Sequence, residues 1–372
     1  MGRSIMQTEA AVLWEIGGEW SVEEIDVDDP GPGEVLVRWV ASGMCHSDEH
    51  LVTGDLPMPV PLIGGHEGAG VVEAVGSSVE SLQPGDHVVS SFIAACGHCT
   101  MCMSGHSNLC IAGARTLGGG GVRPPYHARG QDLGAFCGTA TFSRHAVVNQ
   151  RSLVHIESDL PLEKACLVGC GVTTGWGSAV QRGQVAPGET VVVVGVGGVG
   201  TGALQGARMA GAEHIVAVDV VPFKLEQAKR FGATHVASSI EEAAGIVSDI
   251  TRNAMANVVI STMGVGKGEL MAGILALGGK RARIVVTNMF SIRETSLAIN
   301  PTDLIIYEKS VLGCLFGSGS PSVAIPKLLS LYRSGQLDLD GMITRTYALG
   351  EINQGYQDMR DGKNIRGVIV YT

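Results

Sequence analysis

Fifteen residues, CGHCTMCMSGHSNLC at 96–110, carry four cysteines in the pattern C-x2-C-x2-C-x7-C. Thiols this close together invite three readings: a disulfide knot, an iron–sulfur cluster or a zinc site. A ferredoxin run sets its third and fourth cysteines three residues apart and follows the last with proline. Here seven residues separate Cys102 from Cys110, and Ile111 follows. The chain holds nine cysteines, an odd number spread over 372 residues, and a reducing compartment does not keep structural disulfides. Cys96, Cys99, Cys102 and Cys110 therefore read as the ligands of a closed tetrahedral zinc site, whose thiolates need only wrap a small sphere.

A second chemical signal lies in TVVVVGVGGVG, where Gly195, Gly197 and Gly200 stand in G-x-G-x-x-G order with Gly198 and Val199 inside the turn. An apolar strand precedes it, and a run of helix formers, TGALQGARMAGA, follows. In that context the glycines permit a tight turn, and the helix offers its first amides to a pyrophosphate. Asp219 ends the next apolar segment, HIVAVD, nineteen residues after Gly200. A carboxylate there accepts ribose hydroxyls and repels a 2′-phosphate, which predicts NAD over NADP. Two more polar stretches sit in apolar surroundings, SGMCHSDEH at 42–50 and LIGGHEGAGVVEAVG at 62–76. Spacing alone leaves Cys45 open as a buried thiol and His66 as a satisfied core histidine, and it joins neither to the distant Cys170.

The elements that must position these residues change character along the chain. Up to about residue 155, AAVLWEI, EVLVRWVAS, GAGVVEAVG and PGDHVVSSF read as short strands between turns, predicting an irregular β-rich barrel. Between 190 and 315, TVVVVG, HIVAVD, NVVIST and ARIVVT are near-continuous apolar strands separated by segments of helical length such as FKLEQAKRFG. That alternation predicts an α/β architecture, a doubly wound parallel sheet with helices on both faces. A helix in VAIPKLLSLYRSG and a strand in RGVIVYT close the chain. The length suits two domains. With 45% hydrophobic and 17% charged residues the protein is compact, and 53 glycines imply many tight turns and close backbone contacts. A net charge of −10 gives no basic face for nucleic acid. The N-terminus lacks a signal-peptide pattern and no stretch of about 18 apolar residues occurs, so no membrane partner and a cytoplasmic location are expected.

GHEGAGVVEAVGSSV resembles the signature of the zinc-containing medium-chain alcohol dehydrogenases, and the four-cysteine lobe stands where that family carries its structural zinc. CHSDEH, GCGVTTGWGSAV and NIRGVIVY are similar to the corresponding family segments, so the likeness covers essentially the full chain. Through EINQGYQDMRDGKNIRGVIVY it is similar to the nicotinoprotein subgroup, which holds NAD without releasing it and is assayed with N,N-dimethyl-4-nitrosoaniline (NDMA). The resemblance implies a GroES-like catalytic domain at 1–171 with its zinc lobe at 96–110, a Rossmann-type NAD-binding domain at 172–315, and a return to the catalytic domain at 316–372. It also implies two zinc ions per subunit.

By the same resemblance Cys45, His66 and Cys170 become the ligands of a catalytic zinc with its fourth position open. Glu67 stands behind the metal and Asp48 orients the ligating imidazole, ordinary hydrogen bonding near a turn being the alternative for both. Ser47 and His50 resemble a proton relay that ends at solvent. Thr174 resembles a residue beside the nicotinamide, Lys224 a coenzyme contact and Arg366 a pyrophosphate contact. Leu56 and Phe92 are similar to substrate-pocket positions, where plain core packing is the alternative. His46 stands where the liver-type enzymes often carry an arginine on the pyrophosphate, and offers a weaker, pH-dependent contact. IAGARTLGGGGVRPPYHARGQD at 111–132 fits no family pattern, and nothing in the sequence names what Cys137, Cys166 and Cys314 do beyond filling space.

The activity implied is reversible oxidation of a primary alcohol to an aldehyde, the proton leaving through Ser47 toward His50 and the hydride passing to NAD. One alternative is a dissociating, thiol-adduct enzyme like formaldehyde dehydrogenase; another is a non-catalytic NAD- or zinc-binding protein. Family analogy implies a homodimer or homotetramer, with SVLGCLF pairing across a two-fold axis.

Overall fold

The computed structural model describes residues 5–114 and 124–372; the part of the 111–132 segment at 115–123 lies outside the described residues. Strands β1 (Ile5–Leu13), β2 (Trp20–Asp28), β4 (Leu62–Ile63), β7 (Tyr126–Ala128) and β8 (Gln131–Ala135) close into a barrel in the order β1-β2-β7-β8-β4. Ala10, Val12, Ile25, Val27, Tyr126 and Leu133 fill it from these strands, all buried. Of AAVLWEI only AAVL is strand: it is the end of β1, in which each residue from Ile5 to Leu13 pairs with β2, and Trp14, Glu15 and Ile16 lie beyond it.

A second sheet lies alongside, with the order β10-β6-β5-β3-β18-β17 and β9 (His145–Asn149) pairing β3 off that path. Its members are β3 (Glu34–Gly43), β5 (Glu67–Val75), β6 (His87–Ser90), β10 (Leu153–Ile156), β17 (Ile343–Tyr347) and β18 (Arg366–Val370). The end of β3 pairs on one side with β5, Gly43 opposite Glu67, and on the other with β18, Val368 opposite Gly43. Three segments distant in sequence thus converge where β3 ends, two residues before Cys45.

The third sheet is parallel throughout and runs β13 (His235–Ala237), β12 (His214–Val218), β11 (Thr190–Val194), β14 (Ala256–Ser261), β15 (Gly278–Val286), β16 (Ser310–Gly313). Val191 and Val193 pack into the cluster that holds Ala203, Leu204 and Ala207 of the helix Gly198–Met209, while Val192 and Val194 face Ile274 and Leu275 on the other side. With both faces covered, the strand has no polar alternation, as TVVVV reads. The helix Gly171–Gly177 crosses Gly198–Met209 so closely that a Cβ on Gly175 would stand 1.9 Å from the Val199 carbonyl oxygen. That contact fastens Cys170 and Thr174 beside the glycine turn. No helix among the described residues is long and apolar enough to cross a membrane.

Candidate active site

Three chain segments bring the polar cluster together. Cys45 caps the N-terminal end of α1 (His46–Thr53), His66 precedes β5, whose first residue is Glu67, and Cys170 caps the helix Gly171–Gly177. One ligand atom from each of Cys45, His66, Glu67 and Cys170 lies within 4.8 Å of the others, and all four residues are buried. Asp48 aims at His66 Nδ1 from 3.1 Å and accepts a bond from the Gly65 amide at 2.8 Å, so the ring is held by a carboxylate that is itself held. His66 Nε2 has no hydrogen-bond partner although it is buried. The bond from Cys170 holds the Cys45 thiol well below its ordinary value and raises Cys170. Burial alone would lower His66, but Asp48 and Cys45 reverse this and hold it above its usual value. An orphaned imidazole nitrogen facing two buried thiols is a donor set that fits zinc: two thiolates and one nitrogen, with room for a fourth ligand.

Glu67 is fully buried, and burial pushes its carboxyl up to about 8 against the opposing pull of Arg366. Its Oε2 accepts a bond from Arg366 Nη2, and its Oε1 accepts the Gly171 amide at 3.2 Å. Arg366 has an unpartnered, buried Nε and lines the same cleft. Its Cδ would meet a Cβ on Gly198 at 2.3 Å, so only glycine admits the arginine there.

The coenzyme cradle follows. Gly195 has φ +89, and a Cβ on Gly200 would stand 2.0 Å from the Gly195 carbonyl oxygen, whereas one on Gly197 would meet nothing within 4 Å. The turn is thus packed tight behind and open in front, and no side chain caps the helix that starts at Gly198. Asp219 accepts the Val196 amide on Oδ2 at 2.9 Å and the Val221 amide on Oδ1 at 3.0 Å, which fixes the carboxylate at the lip of the turn. These features fit a dinucleotide. Lys224, Thr174, Val199 and His46 line the cleft as well. Burial holds His46 down to about 4, so it is neutral near pH 7 and offers no cation there.

Cleft and metal cluster are one cavity of about 750 Å³. Its inner wall is aromatic: Phe92 and Phe316 lie with ring centroids 4.1 Å apart, and Phe92 and Phe136 each meet the His66 ring edge-on. Leu56 lines the wall too, so the structure places both sequence-predicted pocket residues in the cavity. Phe136 and Phe316 were not legible beforehand, since each follows a strand end in a segment without a polar motif. Cys137 and Cys314, to which the sequence assigned no role, also line the cavity, while Cys166 is buried in the core.

Ser47 and His50 both line the cavity, Ser47 within 3.6 Å of the Cys45 sulfur. His50 does not itself meet solvent: it is buried where the chain after α1 folds back, the Leu56 amide bonding the His50 carbonyl at 3.0 Å.

In the lobe the four sulfurs of Cys96, Cys99, Cys102 and Cys110 lie within 4.8 Å of one another, Cys96 and Cys102 at 3.9 Å and Cys99 and Cys110 at 4.0 Å. Zinc–sulfur bonds of about 2.3 Å in a tetrahedron set sulfurs about 3.8 Å apart. The backbone amides of Cys96 and Cys99 point at the Cys110 and Cys96 sulfurs, at 3.2 and 3.3 Å, as they do toward thiolates. Hydrogen bonds from the backbone hold the Cys99 thiol down to about 6.

Comparison with known proteins agrees with this geometry. Residues 31–158 match the family described as alcohol dehydrogenase GroES-like domain, and residues 198–334 match zinc-binding dehydrogenase. Alcohol dehydrogenase B of Mycobacterium tuberculosis is 48% identical over 371 residues, covering 99% of both chains. The NDMA-dependent alcohol dehydrogenase of Amycolatopsis methanolica is 46% identical, covering 99% of this chain and all of that one. Among solved structures, the benzyl alcohol dehydrogenase of Acinetobacter calcoaceticus superposes with a TM-score of 0.90 at 32% identity, over 99% of this chain and 100% of that chain.

Proposed function

The chain belongs to the zinc-containing medium-chain alcohol dehydrogenase family, and from that premise we propose that it oxidises primary alcohols to aldehydes, reversibly, with NAD retained on the enzyme. The observation that carries the reading is the single cavity in which the Cys45–His66–Cys170 cluster faces the glycine turn and Asp219. When bound, zinc supplies the Lewis acidity that lets an alcohol hydroxyl lose its proton near neutral pH, and the nicotinamide supplies the hydride acceptor. Cys45 and Cys170 bring two negative charges to the centre, and His66, steadied by Asp48, brings the third donor. Phe92, Phe136 and Phe316 exclude water and orient an apolar substrate tail. Ser47 stands where the hydroxyl proton departs, and His50 receives it farther along the cavity wall. Thr174 and Arg366 bound the coenzyme side, and the carboxylate of Asp219 selects NAD through the ribose.

Retention of NAD is supported by the 46% identity with an NDMA-dependent enzyme. The lobe of Cys96, Cys99, Cys102 and Cys110 holds the second zinc. The exposed edge strand β16 offers a pairing edge for a homodimer, from which a homotetramer could be built. The test is the absorbance spectrum, mass and metal content of the full chain as purified, followed by turnover of a primary alcohol. Cofactor that survives gel filtration, two zincs per chain and alcohol oxidation with NDMA but without added NAD are expected. A response to free NAD selects the dissociating enzyme instead, and one zinc per chain with no turnover overturns the reading.

A further inference from the structure

We propose that Asn108 is a positioning residue for the alcohol pocket: from the four-cysteine lobe it holds the Leu315 carbonyl, and with it the turn that presents Phe316 to the substrate. The inference rests on the alcohol dehydrogenase reading. Leu315 and Phe316 line the cavity, and the Phe316 ring centroid lies 4.1 Å from that of Phe92. The turn that carries them is an uncommon one. Phe316, Gly317 and Ser318 have φ of +51, +72 and +60 in succession, a left-handed run that a bulky aromatic residue rarely enters. Such a turn keeps its shape only where its surroundings hold it. On its inner side Gly317 is wedged against the helix Gly171–Gly177, where a Cβ would stand 2.3 Å from the Thr173 carbonyl oxygen. On its outer side Asn108 Nδ2 donates to the Leu315 carbonyl oxygen at 2.9 Å.

That bond crosses 207 residues of sequence, and it is built for placement more than for stability. The Leu315 carbonyl also accepts the Ser318 amide at 3.0 Å, so its oxygen keeps a partner without Asn108. Asn108 is 2% exposed, and its Oδ1 is buried with no hydrogen-bond partner among the described residues. An apolar side chain of similar volume would avoid that cost, whereas only a donor can fix the carbonyl. The lobe holds the other ring as well. Phe92 stands four residues before Cys96, on the segment that leads from β6 into the lobe. Cys96, Cys99, Cys102 and Cys110 pack with the apolar cluster that contains Phe92 and Phe316. Both rings are therefore fastened to one small lobe, Phe92 through the chain and Phe316 through Asn108. Ser107 bonds Ser320 Oγ at 2.6 Å beyond the turn, which joins the lobe to the helix Pro321–Arg333 and leaves the Leu315 carbonyl to its neighbour.

The experiment uses the full-chain holoenzyme and the variants Asn108→Ala, Asn108→Leu, Ser107→Ala and Phe316→Ala, with ethanol and benzyl alcohol as substrates. Both Asn108 variants should shift the ratio of kcat/KM for the two alcohols about fivefold in the direction that Phe316→Ala shifts it, mostly through KM, with kcat within about twofold. In the Phe316→Ala background, Asn108→Ala should shift the ratio no further. Ser107→Ala, which also removes a bond of the lobe, should leave the ratio at the parental value. Metal content should match the parent in every variant. A readout free of turnover is the fluorine-19 spectrum of protein carrying 4-fluorophenylalanine at its seven phenylalanines. The Phe316 signal, assigned by its loss in Phe316→Ala, should move in both Asn108 variants and stay in place in Ser107→Ala. An unchanged ratio or an unmoved Phe316 signal in both Asn108 variants overturns the proposal. So does an equal shift in Ser107→Ala, or a ratio that changes only in protein that has lost zinc from the lobe, while alcohol oxidation by the parent keeps the reading of the site. If the parent oxidises no alcohol, the site reading fails, and the fluorine spectrum still decides whether Asn108 holds Phe316.

Discussion

Arg366 and Glu67 are fully buried, hydrogen-bonded partners that join the Cys45–His66–Cys170 cluster to the glycine turn. The guanidinium bonds Glu67 at the cluster, and its Cδ lies against Gly198 at the start of the coenzyme helix. Arg366 begins β18, which pairs with the end of β3 two residues before Cys45, so the C-terminal strand carries the link. Without Arg366 the buried Glu67 carboxyl, already pushed up to about 8, takes a proton and loses its hydrogen-bond donor, which costs about 1–3 kcal/mol. Arg366→Ala should therefore unfold at lower denaturant and be purified without its coenzyme absorbance. Arg366→Lys should recover little, because an ammonium cannot present a planar fork to Glu67 while keeping Nε toward the cleft. Unchanged unfolding and full coenzyme content in Arg366→Ala would remove the link from the account.

The two sulfur clusters should separate cleanly by metal content. Cys45→Ser is expected to fold, carry one zinc instead of two, and lose turnover, because the thiolate that balances the metal's charge at the open site is gone. Cys102→Ser should also carry one zinc, but its main effect should be a lower unfolding temperature, since a closed site contributes its binding energy to folding. Metal analysis beside a thermal melt checks both. A Cys45→Ser protein with full turnover would refute the assignment of the catalytic centre.

What could be read in the chain beforehand followed from local chemistry. The four-cysteine lobe and the glycine turn announce themselves because their parts lie within fifteen and six residues of one another. TVVVV reads as a doubly covered strand because burial on both faces removes alternation. Cys45, His66 and Cys170 carry no such signal: the pairing of β3 with β5 and the cap position of Cys170 bring them together, and only a family resemblance could connect them in advance. WSVEEIDVD, now β2, was hidden by its two central glutamates. Phe316 has φ +51 in the turn after Leu315, and Asn108 meets Leu315 across 207 residues of chain, so neither position follows from sequence pattern.

Asp219 should decide between the two nicotinamide coenzymes. Its oxygens already accept the Val196 and Val221 amides, so the carboxylate is fixed in place and its remaining lone pairs face the cleft. A 2′-phosphate brought to this lip meets a like charge. Asp219→Ser should weaken NAD binding about tenfold, by loss of charge-assisted bonds to ribose, and raise the share of NADP found in the protein when both coenzymes are offered during reconstitution. Mass spectrometry of the bound coenzyme reads the ratio directly. No change in that ratio would show that selectivity lies elsewhere.

Phe92 and Phe316 should act as one unit in the substrate wall. Phe316 is 1% exposed and lies tilted against Phe92, which in turn meets His66 edge-on. Truncating a buried phenylalanine costs about 3–5 kcal/mol, and a stacked aromatic pair contributes about 0.5–1.5 kcal/mol beyond the area it buries. Each single change, Phe92→Ala or Phe316→Ala, removes that pair contribution in full, so the double variant should be less destabilised than the sum of the singles by about 1 kcal/mol. The same variants widen the cavity beside the metal cluster. Catalytic efficiency should therefore fall for small alcohols, which lose their packing partner, and fall less or rise for bulkier ones, a change of about 10-fold or more in the ratio. Denaturant unfolding of the four proteins and kcat/KM for two alcohols of different girth measure both effects. Additive stability losses with an unchanged substrate ratio would return the two rings to ordinary core packing.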